Sequence, residues 1–234
     1  MADDALRHNA ILAALPGPEF ARLQPRLQLA DAQLRDQAYR PGQPITDLYF
    51  PISAVFSLVG VTDGRPVEVA TIGREGMVGL PVFLGRSTSP NAAFCQIPGQ
   101  AALLPAVQLP PALSSGGALH GLLSRFTQAT MVQIAQNVVC NTVHTLGQRA
   151  ARWLLTTHDR VGRDQFQLTH EFFSQMLGAS RPTVSETASK LQSGGLIRYR
   201  RGQLTITNRP GLEKAACDCY AIVRAEFDGL TGSL

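Results

Sequence analysis

The side chains best suited to chemistry crowd one short stretch. Ser180, Arg181, Thr183, Ser185, Glu186, Ser189 and Lys190 stand close together, with Arg198, Arg200 and Arg201 following. Guanidinium, ammonium and hydroxyl groups donate to phosphate oxygens, and Arg, Ser and Glu can also bond the edges of bases. Charge supports a polyanion partner. Residues 1–144 carry 9 basic and 9 acidic side chains, while residues 145–234 carry 12 and 8, so the whole net charge of +4 lies in the second part. From Arg181 to Arg209 six basic residues face one acidic one, Glu186, an asymmetry typical of nucleic-acid binding. A second group is Cys140 and His144, at i, i+4 on a helix, with Cys217 and Cys219 on another element. Together these could bind zinc or sense oxidation. The reading adopted is inert, packed thiols without a metal, with Cys140 kept as a redox candidate able to cross-link to a partner chain. The motifs of a nucleophile elbow, a P-loop or an H-E-x-x-H zinc helix do not occur, and the five histidines are dispersed, so an enzyme is not expected.

The phosphate- and base-directed groups need an element that aims them. Thr169 can cap a first helix carrying Phe172, Phe173, Met176 and Leu177. Gly178 can end that helix in a left-handed turn. Ser180 can cap a second helix, with Pro182 in its first turn, where a missing N–H costs nothing. Val184, Ala188 and Leu191 then share a buried face, which leaves Arg181, Thr183, Ser185, Glu186 and Lys190 outside. Two short helices joined by a glycine turn make a helix-turn-helix. Leu196–Thr207 alternates around Arg201-Gly202 as a hairpin, a wing presenting Arg198, Arg200 and Arg201. On this reading Arg181, Ser185 and Glu186 contact bases, and Ser180, Thr183, Lys190, Arg198, Arg200 and Arg201 contact phosphates. His170 is placed towards a DNA phosphate or solvent.

Upstream the texture differs. Residues 5–29 suit two short helices broken at Pro16-Gly17-Pro18. Short β-type runs follow at 47–50, 54–61, 66–72, 94–97 and 100–104, with Asp63-Gly64 as a hairpin turn. Beyond Pro110-Pro111 a proline-free stretch from Ala112 to about Asn141 suits one helix of more than about 40 Å. Such a helix either crosses a big domain or pairs with a copy of itself, and its apolar residues Leu119, Leu122, Leu123, Phe126 and Ile134 are the candidates for a seam between two copies. Thr145-Leu-Gly-Gln148 fits a capping box that starts a new helix, leaving a hinge near His144. The fold class is therefore α+β: a small β-barrel or sandwich over residues 1–110, a long helix over 111–144, and a winged helix-turn-helix domain over 145–234. With 44% hydrophobic and 16% charged residues, this is an ordinary globular composition. The acidic N-terminus lacks a signal peptide's apolar core and no run is long enough to span a membrane, so no membrane partner and a cytoplasmic location are expected.

This order of parts resembles the Crp/Fnr family of bacterial transcription regulators. The resemblance covers nearly the whole chain and is strongest where Arg149-Ala-Ala-Arg-Trp-Leu-Leu155 and Gly178-Ala-Ser-Arg-Pro-Thr-Val184 match the family pattern. It implies that residues 1–110 form a double-stranded β-helix (a jelly-roll-like β-roll) and that the long helix over 111–144 is a dimerisation helix. It also implies a homodimer on an inverted repeat of double-stranded DNA, with RNA polymerase as a further partner if the protein activates, and a small-molecule effector of unknown kind. The alternative is a ligand or redox sensor that acts through protein partners without reading DNA.

The departures are specific. Many family members read guanine with an Arg where Glu186 stands, and carry Glu where Pro182 stands. A carboxylate can accept from cytosine N4 but repels phosphate, so a different operator is expected. Cyclic-nucleotide binders hold the ribose with a Gly-Glu pair and the phosphate with a later Arg pair. Here Gly76-Met77 occupies the first place and Asn91-Ala92-Ala93 the second, leaving Arg86 as the nearby cation. Gly76, Met77, Arg86 and Asn91 are the candidate effector residues. A buried phosphate without a cation is costly, so standard cyclic-AMP control is not expected. The family's iron–sulfur sensing needs N-terminal cysteines, and none precedes Cys95. No cofactor is expected.

Overall fold

The computed structural model describes residues 2–62, 65–113 and 117–231. Three short helices open the chain: α1 (Ala2–Leu6), α2 (Ala10–Ala14) and α3 (Gly17–Leu23), followed by a 3₁₀ turn at Gln24–Arg26. Asn9 caps α2 by accepting from Ile11 N and Leu12 N. Its amide donates to Pro51 O and Gly76 O at 3.0 and 2.9 Å, which ties the helices to the strands.

The strands are β1 (Gln28–Ala32), β2 (Gln37–Tyr39), β3 (Asp47–Pro51), β4 (Val55–Thr62) and β5 (Arg65–Ile72); then, after the short helix α4 (Leu80–Phe83), β6 (Ala92–Ile97) and β7 (Gly99–Pro105). They form two antiparallel sheets in the orders β1-β7-β3 and β2-β6-β4-β5. The β-roll implied by the family resemblance is thus present. β4 and β5 pair down to Thr62 opposite Arg65; the expected Asp63-Gly64 turn lies outside the described residues. β1 and β2 lie ahead of the first expected β-type run, and only the first two residues of β1 fall in the stretch read as helical; both strands depend on pairing with β7 and β6, distant in sequence.

After α5 (Leu109–Leu113) comes the long helix α6 (Ala118–Val143). It starts at Ala118 rather than Ala112. The Glu19 carboxylate of α3 accepts from Ala118 N and Leu119 N at 3.0 and 3.3 Å, satisfying N–H groups that a helix start leaves free. His144 ends α6, and Thr145 starts α7 (Leu146–Val161) with the expected capping box to Gln148.

β8 (Gln165–Gln167), α8 (His170–Leu177), α9 (Arg181–Ser193), β9 (Ile197–Arg200) and β10 (Gln203–Ile206) complete a winged helix-turn-helix, with strand order β8-β10-β9. Two more helices, α10 (Arg209–Ala215) and α11 (Cys219–Asp228), turn the chain back. α11 packs on α6 and α7. Leu230 just beyond it enters the core of the β-roll beside Leu123 and Phe126, so the C-terminus clasps the N-terminal domain.

A second apolar core centres on Trp153, Leu154, Phe173 and Leu204 and includes Val55 and Ile97 of the β-roll. The two domains are therefore docked through shared apolar surface. Among the described residues no helix is long and apolar enough to cross a membrane.

Candidate nucleic-acid interface

The helix-turn-helix is built by local signals. Thr169 Oγ1 accepts from Phe172 N at 3.1 Å and starts α8. Gly178, at φ 59°, ends it with its N–H on Gln175 O and Ser174 O; a side chain is disfavoured there. Ser180 caps α9 by accepting from Thr183 N at 3.4 Å, and its hydroxyl meets Thr183 Oγ1 at 2.6 Å. Val184, Ala188 and Leu191 are buried and anchor α9.

That anchoring turns the polar face outward. Arg181, Thr183, Glu186, Ser189 and Lys190 are exposed and Ser185 is half-buried. Glu186 Oε1 lies 2.7 Å from Lys190 Nζ, one turn further along. Lys190 holds the Glu186 carboxyl below the usual carboxylate range. Ser185 Oγ lies 2.7 Å from His170 Nδ1, and the His170 ring packs edge-on against Tyr199 at 4.4 Å between centroids. Burial, followed by the nearby Arg181 charge, lowers the His170 pKa, which favours the neutral ring. His170 is therefore turned towards Ser185 rather than left to solvent. Tyr199 donates to Leu168 O and fastens the wing to the start of α8. Sequence reasoning missed the Ser185–His170–Tyr199 relay, since nothing in residue spacing links three positions on separate elements.

In the wing, Arg201 at φ 51° and Gly202 at φ 76° make the tight turn, as Arg201-Gly202 between alternating strands suggested. Arg198, Arg200 and Arg201 are exposed. They line a cleft of about 850 Å³ whose opposite wall is Leu34, Arg35 and Gln96 of the β-roll.

The domains are joined by polar contacts of unusual burial. Glu68 on β5 accepts from Trp153 Nε1 of α7 at 2.7 Å, and its other oxygen lies 2.7 Å from Ser57 Oγ. Ser57 Oγ also lies 2.7 Å from Gln96 Oε1. A hydroxyl has one proton to give. Ser57 can therefore give that proton either to the Glu68 carboxylate or to Gln96 Oε1, both within reach. Burial pushes the Glu68 carboxyl up to about 7, against the lowering pull of these hydrogen bonds and of the Arg160 and Arg152 charges. Arg160 of α7 is buried and donates from Nε to Glu75 Oε1 at 2.6 Å, with a further bond to Thr71. Phe94 meets Phe172 edge-on at 6.2 Å.

The candidate effector residues are mostly filled positions. Met77 is wholly buried in the β-roll core. A Cβ on Gly76 would come within 2.1 Å of the Phe126 ring. Arg86 is exposed, and Asn91 is half-buried near Gly60. Glu75, close to the expected ribose position, instead faces Arg160.

The seam residues also need correction. Leu119, Leu122, Leu123 and Phe126 are buried in the chain's own core, and only Ile134 of the five is partly exposed. The exposed apolar residues of α6 are Met131, Val138, Val139 and Val143. Both sides of α6 are apolar, so periodicity could not tell the core face from the free one. Cys140 is likewise buried, with its sulfur 3.5 Å from Cys217 Sγ of the same chain. That enclosure removes the expected cross-link to a partner chain.

Comparison with known proteins agrees with this architecture. Residues 148–215 match the Crp-like helix-turn-helix domain. The global nitrogen regulator of Synechocystis sp. is 23% identical over 225 residues, covering 91% of this chain and 98% of that protein. The structure of FixK2 from Bradyrhizobium japonicum superposes with a TM-score of 0.69 at 18% identity, covering 82% of this chain and 98% of FixK2. A transcriptional regulator of the CRP/FNR family from Thermus thermophilus gives 0.60 at 18% identity, over 81% of this chain and 98% of its own. The chain thus carries a Crp-like helix-turn-helix domain, residues 148–215, on the fold seen in the Crp/Fnr transcription regulators.

Proposed function

We propose that the protein is a homodimeric transcription regulator that binds an inverted repeat in double-stranded DNA. The observation that carries this reading is the outward face of α9, where exposed Arg181 and Glu186 and half-buried Ser185 share one side while apolar residues anchor the other. Arg181, Ser185 and Glu186 read base edges in the major groove. Ser180, Thr183, Lys190, Arg198, Arg200 and Arg201 bind phosphates and supply the salt-dependent affinity. The free apolar stripe of α6, around Met131, Ile134 and Val138, pairs two chains. Pairing sets the two α9 helices to half-sites about 34–36 Å apart.

Control works through the docking of the DNA-binding domain on the β-roll. An effector shifts that equilibrium only if it binds one arrangement better. With Met77 buried and Gly76 closed off by Phe126, standard cyclic-AMP control is disfavoured and the effector is another small molecule. RNA polymerase is a further partner if the protein activates.

Selection of random duplex DNA by the reduced protein, at fixed salt with and without cyclic AMP, tests this. An inverted repeat recovered equally in both arms is expected. Enrichment of no sequence, with binding that is indifferent to salt, would refute DNA reading.

A further inference from the structure

Four side chains of metal-ligand type meet at the joint between α6 and the DNA-binding domain. Cys140 lies in the last turn of α6, and His144 ends that helix. Cys217 and Cys219 flank Asp218 where α11 begins. Cys140 Sγ lies 3.5 Å from Cys217 Sγ, and Cys219 Sγ lies 3.6 Å from His144 Nδ1. All four donor atoms fall within 4.8 Å of one another. A tetrahedral zinc ion, with bonds of about 2.3 Å to sulfur and 2.0–2.1 Å to nitrogen, requires donor–donor edges of about 3.5–3.8 Å. The two measured contacts have that length.

Simpler accounts explain less. The three sulfurs form a small buried cluster of their own, separate from the two larger apolar cores, and packing alone gives no role to the His144 contact. A disulfide would use two sulfurs at about 2.05 Å and leave the Cys219–His144 contact without a role. A helix N-terminus and two cations lie at the cluster. Cys219 is the first residue of a ten-residue helix, whose N-terminal dipole favours a negative sulfur. Arg149 lies in charge contact with Cys140, and Arg152 with Cys219. The Nε atoms of both guanidiniums are buried without a hydrogen-bond partner. Three thiolates around a divalent ion leave a net charge of about −1, which such cations offset, and N–H donors to ligand atoms orient them.

We propose that Cys140, His144, Cys217 and Cys219 bind one zinc ion per chain in a closed Cys₃His structural site. Binding releases the three thiol protons to solvent and leaves the sulfur oxidation state unchanged. The ion fastens the start of α11 to the end of α6, across the hinge that precedes α7. The assignment stands on these residues alone and is independent of whether the protein reads DNA.

Full-length protein purified with reductant and without chelator tests it. One zinc per chain is expected by elemental analysis. Exchange with cobalt(II) should give the strong visible bands and sulfur-to-metal charge transfer of a tetrahedral thiolate centre. Cys217→Ser should lose the ion, and Cys95→Ser, placed in the β-roll core, should retain it. The cobalt spectrum of the unaltered protein decides independently of whether Cys217→Ser folds. Reduced protein that takes up neither metal, cobalt bands without a thiolate signature, or full binding in folded Cys217→Ser would overturn the site. So would a Cys140–Cys217 disulfide whose reduction restores no metal uptake.

Discussion

At Glu186 the carboxylate already has a partner, since Lys190 lies 2.7 Å away on the same exposed face of α9. To accept from a base it must exchange that contact, which is weak in water. Glu186→Ala should therefore relax preference at one base pair by about 1–3 kcal/mol while leaving general affinity nearly intact. Competition among single-base operator variants measures this, and an unchanged preference removes Glu186 from the readout. For the exposed Arg200 the proposed contact is a phosphate. Arg200→Ala should weaken binding to all duplexes alike and reduce the slope of log affinity against log salt by about 1. Filter binding over a salt series checks it; a change in site preference at constant slope would contradict the phosphate role. The outward face of α9 was legible in the residues, because Ser180, Gly178 and Pro182 fix the phase of the helix locally. The His170–Ser185 contact was not, since it depends on how α8 crosses α9.

At the scale of elements, α6 has one apolar side buried in its own chain and another left exposed. Leu122 and Phe126 face the β-roll, while Met131 and Val138, one heptad apart, face outward. Val138→Glu should shift the protein towards monomer without loss of fold, whereas Leu122→Glu should unfold the N-terminal domain. Sedimentation with circular dichroism separates the two results; a dimer unchanged by Val138→Glu would move the seam elsewhere. Apolar periodicity found the helix but could not rank its faces, as both carry Leu, Ile, Val or Met. The same limit hid β1, β2 and β8. Each is short and forms only against a strand far away in sequence, whereas the wing carries its turn residues, Arg201 and Gly202, between its two strands. α10 and α11 went unread for another reason: their role is to close α6 against the DNA-binding domain, a relation that no local pattern encodes.

At the scale of the whole molecule, the buried Glu68 makes domain docking sensitive to pH. Its carboxyl rises from 4.5 to about 7 when buried, so the docked form binds the proton more tightly than the separated form. The resulting stabilisation is full below the ordinary carboxylate pKa and is lost as pH rises through about 7. Docking should therefore tighten between about pH 8 and pH 5, and Glu68→Gln, which keeps a neutral group there, should flatten that dependence. Limited proteolysis of the hinge around His144 reads it out; identical pH profiles in both proteins would exclude Glu68 as the group concerned.

The bond between Trp153 and Glu68 has an optical consequence. The chain contains one tryptophan, and its indole N–H points across the domain boundary into a buried carboxyl. Emission from this protein therefore comes from a single, known place. Separation of the domains would expose that ring to water and exchange its acceptor, moving the emission to longer wavelength. The molecule thus carries its own dye at the surface where its two halves meet, and their parting can be followed in real time without a label.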